Sequence, residues 1–148
     1  MRNRYEEGNR AWNEGDFKRA YEALGDDTEY ELASTWPQSQ PLRGRAEVVK
    51  FFEDFRETFP DARAGPVDFV EVRERRLIVG FPVIGTGRTS GVRIEMEVWQ
   101  IWELGQRGIP TRVKEYPDRA AAPGAAGSVS SRPRPECNRR GRTCLTVR

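Results

Sequence analysis

Apolar side chains along residues 4–24 (RYEEGNRAWNEGDFKRAYEAL) recur at helical intervals, through Tyr5, Ala11 or Trp12, Phe17, Ala20, Tyr21 and Leu24. Gly15-Asp16 interrupts the run, so the spacing predicts two helices, with Gly15 supplying the turn and Asp16 capping the second. A short strand is predicted at 28–33, where Thr28, Tyr30 and Leu32 alternate with Glu29 and Glu31. The stretch STWPQSQPLRGR reads as loop, because its prolines and glycine exclude regular structure. A third helix is expected over about 45–59, carrying a stripe of Val48, Val49, Phe52, Phe55 and Phe59, and Pro60 ends it.

Beyond Pro60 the apolar period falls from 3.6 to 2. Segments 66–74, 76–86, 91–104 and 109–117 read as four strands, separated by Arg-Glu-Arg, Thr-Gly-Arg-Thr-Ser-Gly and Gly-Gln-Arg-Gly turns. In the third, Val92, Ile94, Met96, Val98, Gln100 and Trp102 share a face. Three helices followed by an antiparallel sheet predict an α+β layer fold in which the sheet wraps the helices. After Arg119 the only large aliphatics are Val129, Leu145 and Val147, and aromatics are absent. Such a segment buries too little to offset its ordering entropy, so the expectation is one folded domain over 1–119 and a disordered Arg/Pro/Gly/Ser-rich tail over 120–148.

Composition narrows the chemistry. The 148 residues contain no histidine, which removes imidazole-based nucleophile activation and imidazole metal sites. Cys137 and Cys144 are the two cysteines, both in the tail, so neither a disulfide scaffold nor a four-ligand zinc site has its raw material. No metal and no organic cofactor is therefore expected, and acid–base work falls to carboxylates, Tyr, Lys or thiols. The net charge of +2 is unevenly spread: residues 120–148 hold six arginines and one glutamate, leaving 19 basic and 22 acidic side chains in 1–119. A slightly acidic domain gives no reason to expect nucleic acid as its partner. No apolar run of membrane-spanning length and no apolar stretch behind the first charges is found, so the expected location is cytoplasmic. Gly85, Gly87 and Gly91 are spaced wrongly for a dinucleotide fingerprint and suit a hairpin.

Several local motifs in order resemble the SnoaL-like branch of the nuclear transport factor 2-like superfamily. They are an aromatic residue before N-E-G-D-F (13–17), D-D-T-E-Y (26–30), P-L-R-G-R-A-E-V-V (41–49), F-P-D-A-R (59–63), S-G-V-R-I-E-M (90–96), Q-I-W (100–102) and E-Y-P-D-R (115–119). The resemblance implies a cone-shaped α+β barrel, three N-terminal helices against a strongly curved mixed or antiparallel sheet around a cavity, and a homodimer through the outer face of the sheet. Chemistry varies among such proteins. In isomerase-like members a first-helix tyrosine and a first-strand aspartate act together; the matching positions here are Gly8 and Leu32. Hydrolase-like members carry an Arg-x-Asp pair on the strand matching 76–86, which has no acid here. Cyclase-like members use an acid on the last strand, and the matching residue is Glu115.

Glu115 shares strand parity with Val113, so its carboxyl points inward if Val113 packs in the core, and it is solvated otherwise. An inward carboxyl against apolar walls has the raised pKa that a general acid or base near neutrality requires. Gln100 breaks an apolar row, and a buried amide there needs a ligand oxygen, Glu115, backbone or water as partner. Trp12, Tyr30, Trp36, Phe52, Phe55, Met96, Val98, Trp102 and Tyr116 are the candidate walls of a pocket for a small apolar molecule, or else plain core. Glu95, Glu97 and Trp99, on the opposite face, suit a dimer surface with a polar rim. The function expected is binding of a small apolar metabolite, with cyclase- or isomerase-type acid–base catalysis by Glu115, Gln100 orienting a substrate oxygen, and Tyr30 or Tyr116 nearby. The alternative is a non-catalytic dimeric ligand- or protein-interaction module.

Overall fold

The structure, a computed structural model, describes residues 1–36 and 40–125. Helix α1 spans Arg2–Glu14 and stops at Gly15, whose φ of +82° costs a glycine little and turns its N–H back onto Trp12. Asp16 then accepts the Arg19 N–H and caps α2 (Phe17–Ala20), which is one turn long and shorter than the sequence pattern suggests. Tyr21 and Leu24 lie beyond it yet remain buried. Strand β1 (Glu29–Glu31) pairs antiparallel with β2 (Leu42–Arg43), a short strand inside the segment expected to be loop. Helix α3 covers Gly44–Thr58, with Val48, Val49, Phe52 and Phe55 as its buried stripe.

The remaining strands are β3 (Arg63–Ala64), β4 (Asp68–Arg73), β5 (Arg76–Thr86), β6 (Arg93–Leu104) and β7 (Pro110–Tyr116). Their order in one sheet is β2-β1-β7-β6-β5-β3, with β4 also on β5, and β1 runs parallel to β7, so the sheet is mixed. Register decides the faces. Val79 lies opposite Gln100, and Gln100 opposite Glu115, so these three form one row across β5, β6 and β7. Val113 is fully buried, which turns Glu115 to the same inner side.

The helices and the inner face close on an aromatic core. Phe52, 2% exposed, meets Trp12, Phe17, Tyr21, Tyr30, Trp36, Phe51 and Phe55 with ring centroids 5.0–6.5 Å away. Burying one such ring contributes about 2–3 kcal/mol, to which favourable ring geometry adds roughly 1 kcal/mol. Two polar devices fix α1 in place. Arg56 of α3 donates to the Trp12 and Asn13 carbonyls at 2.7 and 3.3 Å, satisfying the C-terminal end of α1. Asn13 pairs with both the N–H and the C=O of Ala64, as a strand neighbour would.

The outer face carries a second cluster of Ile78, Trp99 and Ile101, covered by Ala122 and Ala125. Arg119 lies over the Trp99 ring at 5.3 Å and donates to the Ala125 carbonyl, while Arg76 donates to Pro123. Residues 120–125 were expected to belong to the disordered tail, and they pack instead, because small alanine side chains can lie flat on a sheet whose apolar residues would otherwise face water. The rest of the expected tail lies outside the described residues. Trp99, expected at a dimer surface, is 5% exposed beneath its own chain, whereas Glu95 and Glu97 are exposed. Among the described residues no helix is long and apolar enough to cross a membrane.

Candidate active site: a carboxyl group at the floor of an apolar cavity

Between α1 and the inner face of β5, β6 and β7 lies a cavity of about 330 Å³. Its walls are mainly Trp12, Phe52, Leu77, Phe81, Val83 and Trp102, with Tyr5, Trp36, Gln100 and Glu115 supplying polar atoms. Of the lining residues, Met1, Arg4, Glu74 and Gly108 are exposed, so the cavity opens at the start of α1 and the two strand turns beside it. Glu115, 4% exposed, is at the closed end.

The polar groups form one connected network. Gln100 Oε1 accepts from Tyr5 Oη at 2.6 Å and from Trp102 Nε1 at 2.9 Å. Gln100 Nε2 donates to Tyr30 Oη at 2.9 Å and to Glu115 Oε2 at 2.7 Å, and Tyr30 Oη donates to the same Oε2 at 2.7 Å. An amide has two acceptor sites and two donor hydrogens, and all four are used. Gln100 is thus bonded to Glu115 and orients it. Glu115 Oε1 and Trp36 Nε1 are buried with no hydrogen-bond partner. The indole N–H faces the carboxyl group without reaching hydrogen-bond geometry.

Burial pushes the Glu115 pKa above the usual carboxylate value, and hydrogen bonds from Tyr30 and Gln100, with the Trp36 and Ala33 N–H groups turned toward it, oppose that rise. Tyr5, Tyr21 and Tyr30 are raised well above an ordinary phenol, first by burial and next by the nearby Glu115 charge. The three phenols are thus neutral, and Glu115 is the buried carboxyl group of the cavity, its proton affinity raised by burial.

The expected wall residues divide into three groups. Trp12, Trp36, Phe52 and Trp102 line the cavity, as does Gln100. Tyr30 is fully buried behind the wall and reaches the site through its hydroxyl, while Phe55, Met96 and Val98 pack in the core instead of on the wall. Tyr116 is on the outer face opposite Trp99, because one step along a strand reverses the side chain. Tyr5 was not singled out as a site residue. It lies one turn before Gly8, on the face of α1 that also carries Trp12, and that i, i+3, i+7 spacing was the available signal. The Tyr5 hydroxyl is bonded to Gln100. Leu77, Phe81 and Val83 complete the wall as alternate residues of β5.

Among the described residues no three His, Cys, Asp or Glu side chains converge as metal ligands. No curated protein sequence matches the chain. Solved structures do. An NTF2-like protein of unknown function from Burkholderia pseudomallei is 17% identical, with a TM-score of 0.66 over 87% of this chain and 94% of that one. A proposed polyketide cyclase from Xanthomonas campestris pv. campestris is 18% identical, with a TM-score of 0.64 over 76% and 86%. The epoxide hydrolase/cyclase-like enzyme SalBIII, of pyran ring formation in the polyether salinomycin, is 15% identical, with a TM-score of 0.64 over 81% and 92%. At these identities the likeness is one of fold. Residues 5–112 match the SnoaL-like domain over most of the described chain, so the protein belongs to the SnoaL-like family.

Proposed function

We propose that the protein takes a small apolar, ring-bearing molecule into the cavity and moves a proton to or from it with Glu115, in a cyclase- or isomerase-type reaction. The observation that carries this reading is a titratable carboxyl group at the closed end of an open, aromatic-walled cavity, with its proton affinity raised by burial. The names of two structural neighbours, a proposed polyketide cyclase and an epoxide hydrolase/cyclase-like enzyme, support the same class of chemistry. Gln100 and Tyr30 hold the carboxyl group, Tyr5 holds Gln100, and the aromatic walls select for apolar surface. The competing reading, a non-catalytic module that dimerises through the sheet's outer face, is weakened by the packing of residues 119–125 over Trp99 on that face.

The test is thermal unfolding of the full chain with panels of steroids, aromatic polyketide-like compounds and terpenoids, followed by turnover assays on any class that binds. A ligand at about one hundred times its dissociation constant adds roughly 2.7 kcal/mol and raises the midpoint by several degrees. Glu115→Gln is expected to keep binding while losing about 10²- to 10⁴-fold in turnover. Binding and turnover that survive Glu115→Gln unchanged would refute the proposal.

A further inference from the structure

Helix α1 is tied down unevenly along its length. From Gly8 onward it is anchored: a Cβ atom at Gly8 would stand 3.2 Å from the Ala20 carbonyl, Ala11 and Trp12 are buried, and Asn13 and Arg56 fasten the C-terminal end. Residues 1–7 are different. All but Tyr5 are exposed, and Met1, Arg4 and Tyr5 form part of the cavity wall where it opens. Among the described residues, the polar and ring contacts that tie this stretch to the sheet come from two side chains. Tyr5 Oη donates to Gln100 Oε1 at 2.6 Å, and its ring meets Phe69 and Trp102 edge-on with centroids 5.8 Å away. The Arg2 guanidinium lies 4.7 Å from the centre of the Phe69 ring. The helix is also weak at this end. Glycine at position 8 has more backbone freedom to lose than any other residue type, the first turn holds no acid, and Arg2 and Arg4 set two cations at the positive end of the helix dipole.

We infer that residues 1–7 are a lid over the cavity, hinged at Gly8 and latched by the Tyr5–Gln100 hydrogen bond, and that ligands enter and leave when the latch breaks. The use of the lid rests on the proposed function, while its motion belongs to the ligand-free chain. Opening leaves little unsatisfied: the Tyr5 hydroxyl meets water, and Gln100 Oε1 keeps its bond from Trp102. What is lost is one hydrogen bond, two edge-on ring contacts and one cation–π contact. Moving the Trp12 end would instead break into the aromatic core around Phe17 and Phe52. The two parts of α1 therefore differ in local stability, with the step at Gly8.

Hydrogen exchange on the intact, ligand-free chain, read residue by residue and corrected for intrinsic rates, tests the lid. Opening at Gly8 frees the carbonyls of residues 4–7, which in an α-helix are the acceptors for the amides of residues 8–11. Those amides are expected to share one opening and to exchange about tenfold or more faster than the amides of residues 12–14. Tyr5→Phe removes the latch and keeps the ring, so it is expected to speed the amides of residues 8–11 by about threefold to tenfold and to leave residues 12–14 unchanged. Phe69→Leu, which removes ring contacts from the sheet side, is expected to act in the same direction. A rate that grades from one residue to the next, as in a fraying helix end, overturns the lid. So does no acceleration in either variant, or equal acceleration of both groups of amides, as from a general loss of stability. In stopped-flow binding of Prodan, a neutral fluorescent naphthyl ketone, Tyr5→Phe is expected to raise the association and dissociation rates together, and a change in dissociation alone overturns the gating role. If Prodan does not bind, it is the proposed function that loses support, and the exchange pattern still decides the lid.

Discussion

Replacing Glu115 by glutamine should change how stability depends on pH. Glu115 is 4% exposed, and burial raises its pKa above the ordinary value of 4.5 despite the donors around it. The folded state therefore holds this proton more tightly than the unfolded chain does. The contribution of the group is fully present below the unfolded pKa and is lost as pH rises to the folded value, with a slope of at most about 1.4 kcal/mol per pH unit. Glutamine has no such transition. The stability of Glu115→Gln relative to wild type should therefore climb by about 1.4 kcal/mol for every unit by which the fold raises the pKa, and then level off. For a domain of this size each kcal/mol corresponds to about 4 °C in midpoint. The introduced amide also sets an NH₂ among donors, but that cost is independent of pH and shifts the whole curve. The assay is urea unfolding of both proteins at intervals from about pH 4 to about pH 9. Glu31 and Asp61, whose pKa values the fold lowers, weaken both proteins alike in acid and cancel in the difference. A difference that is flat with pH, or that grows toward acid, would refute the claim that burial dominates at Glu115.

Three further outcomes follow from the packing. Gly80→Ala would put a Cβ atom 2.6 Å from the Trp99 ring, which Arg119 and Ala122 hold from the other side; a loss of about 1–3 kcal/mol is expected in denaturant unfolding, and a change under about 0.5 kcal/mol would show that the ring is free to move. Ala122→Asp sets a charge on Ile78, Trp99 and Ile101, so residues 119–125 should lift off at a cost of roughly 1–2 kcal/mol, with a red shift in tryptophan emission; an unchanged spectrum would count against that cover. Glu31 is partly desolvated, yet its hydrogen bond and ion pair with Arg112, helped by Lys114, hold its pKa below the usual range. Its stabilisation is present above the unfolded pKa and fades as pH falls through the folded value. Glu31→Gln should then cost under about 1 kcal/mol at neutral pH and nothing in acid, and an equal cost at both would point to lost packing instead.

The local elements were legible where a single period ran long enough to show. The stripe Val48, Val49, Phe52, Phe55 predicted α3, and the alternation Met96, Val98, Gln100, Trp102 predicted both β6 and its inner face. The inward turn of Glu115 followed from Val113 by strand parity alone, while Tyr116 on the next position was assigned to the same pocket and lies on the other side of the sheet. Two-residue strands such as β2 and β3 carry no periodic signal, and they exist because β1 and β5 offer them edges. Residues 120–125 look too poor in apolar surface to fold, since composition does not record the sheet face waiting beneath them.

The chemistry of Gln100 shows the same division. That a lone amide in an apolar row must find partners is a consequence of the sequence and the cost of burying polar atoms unpaired. Which partners depended on bringing together a helix residue 95 positions away, Tyr5, with Tyr30 of β1 and Glu115 of β7. The sequence by itself determined residue types, periods and the inventory of proton-exchanging groups, because these are properties of the covalent chain. Which groups bond one another, and therefore that Glu115 meets Tyr30 and Gln100, was decided only by the tertiary structure, because hydrogen-bond capacity is spent on whatever atoms the fold places within about 3 Å.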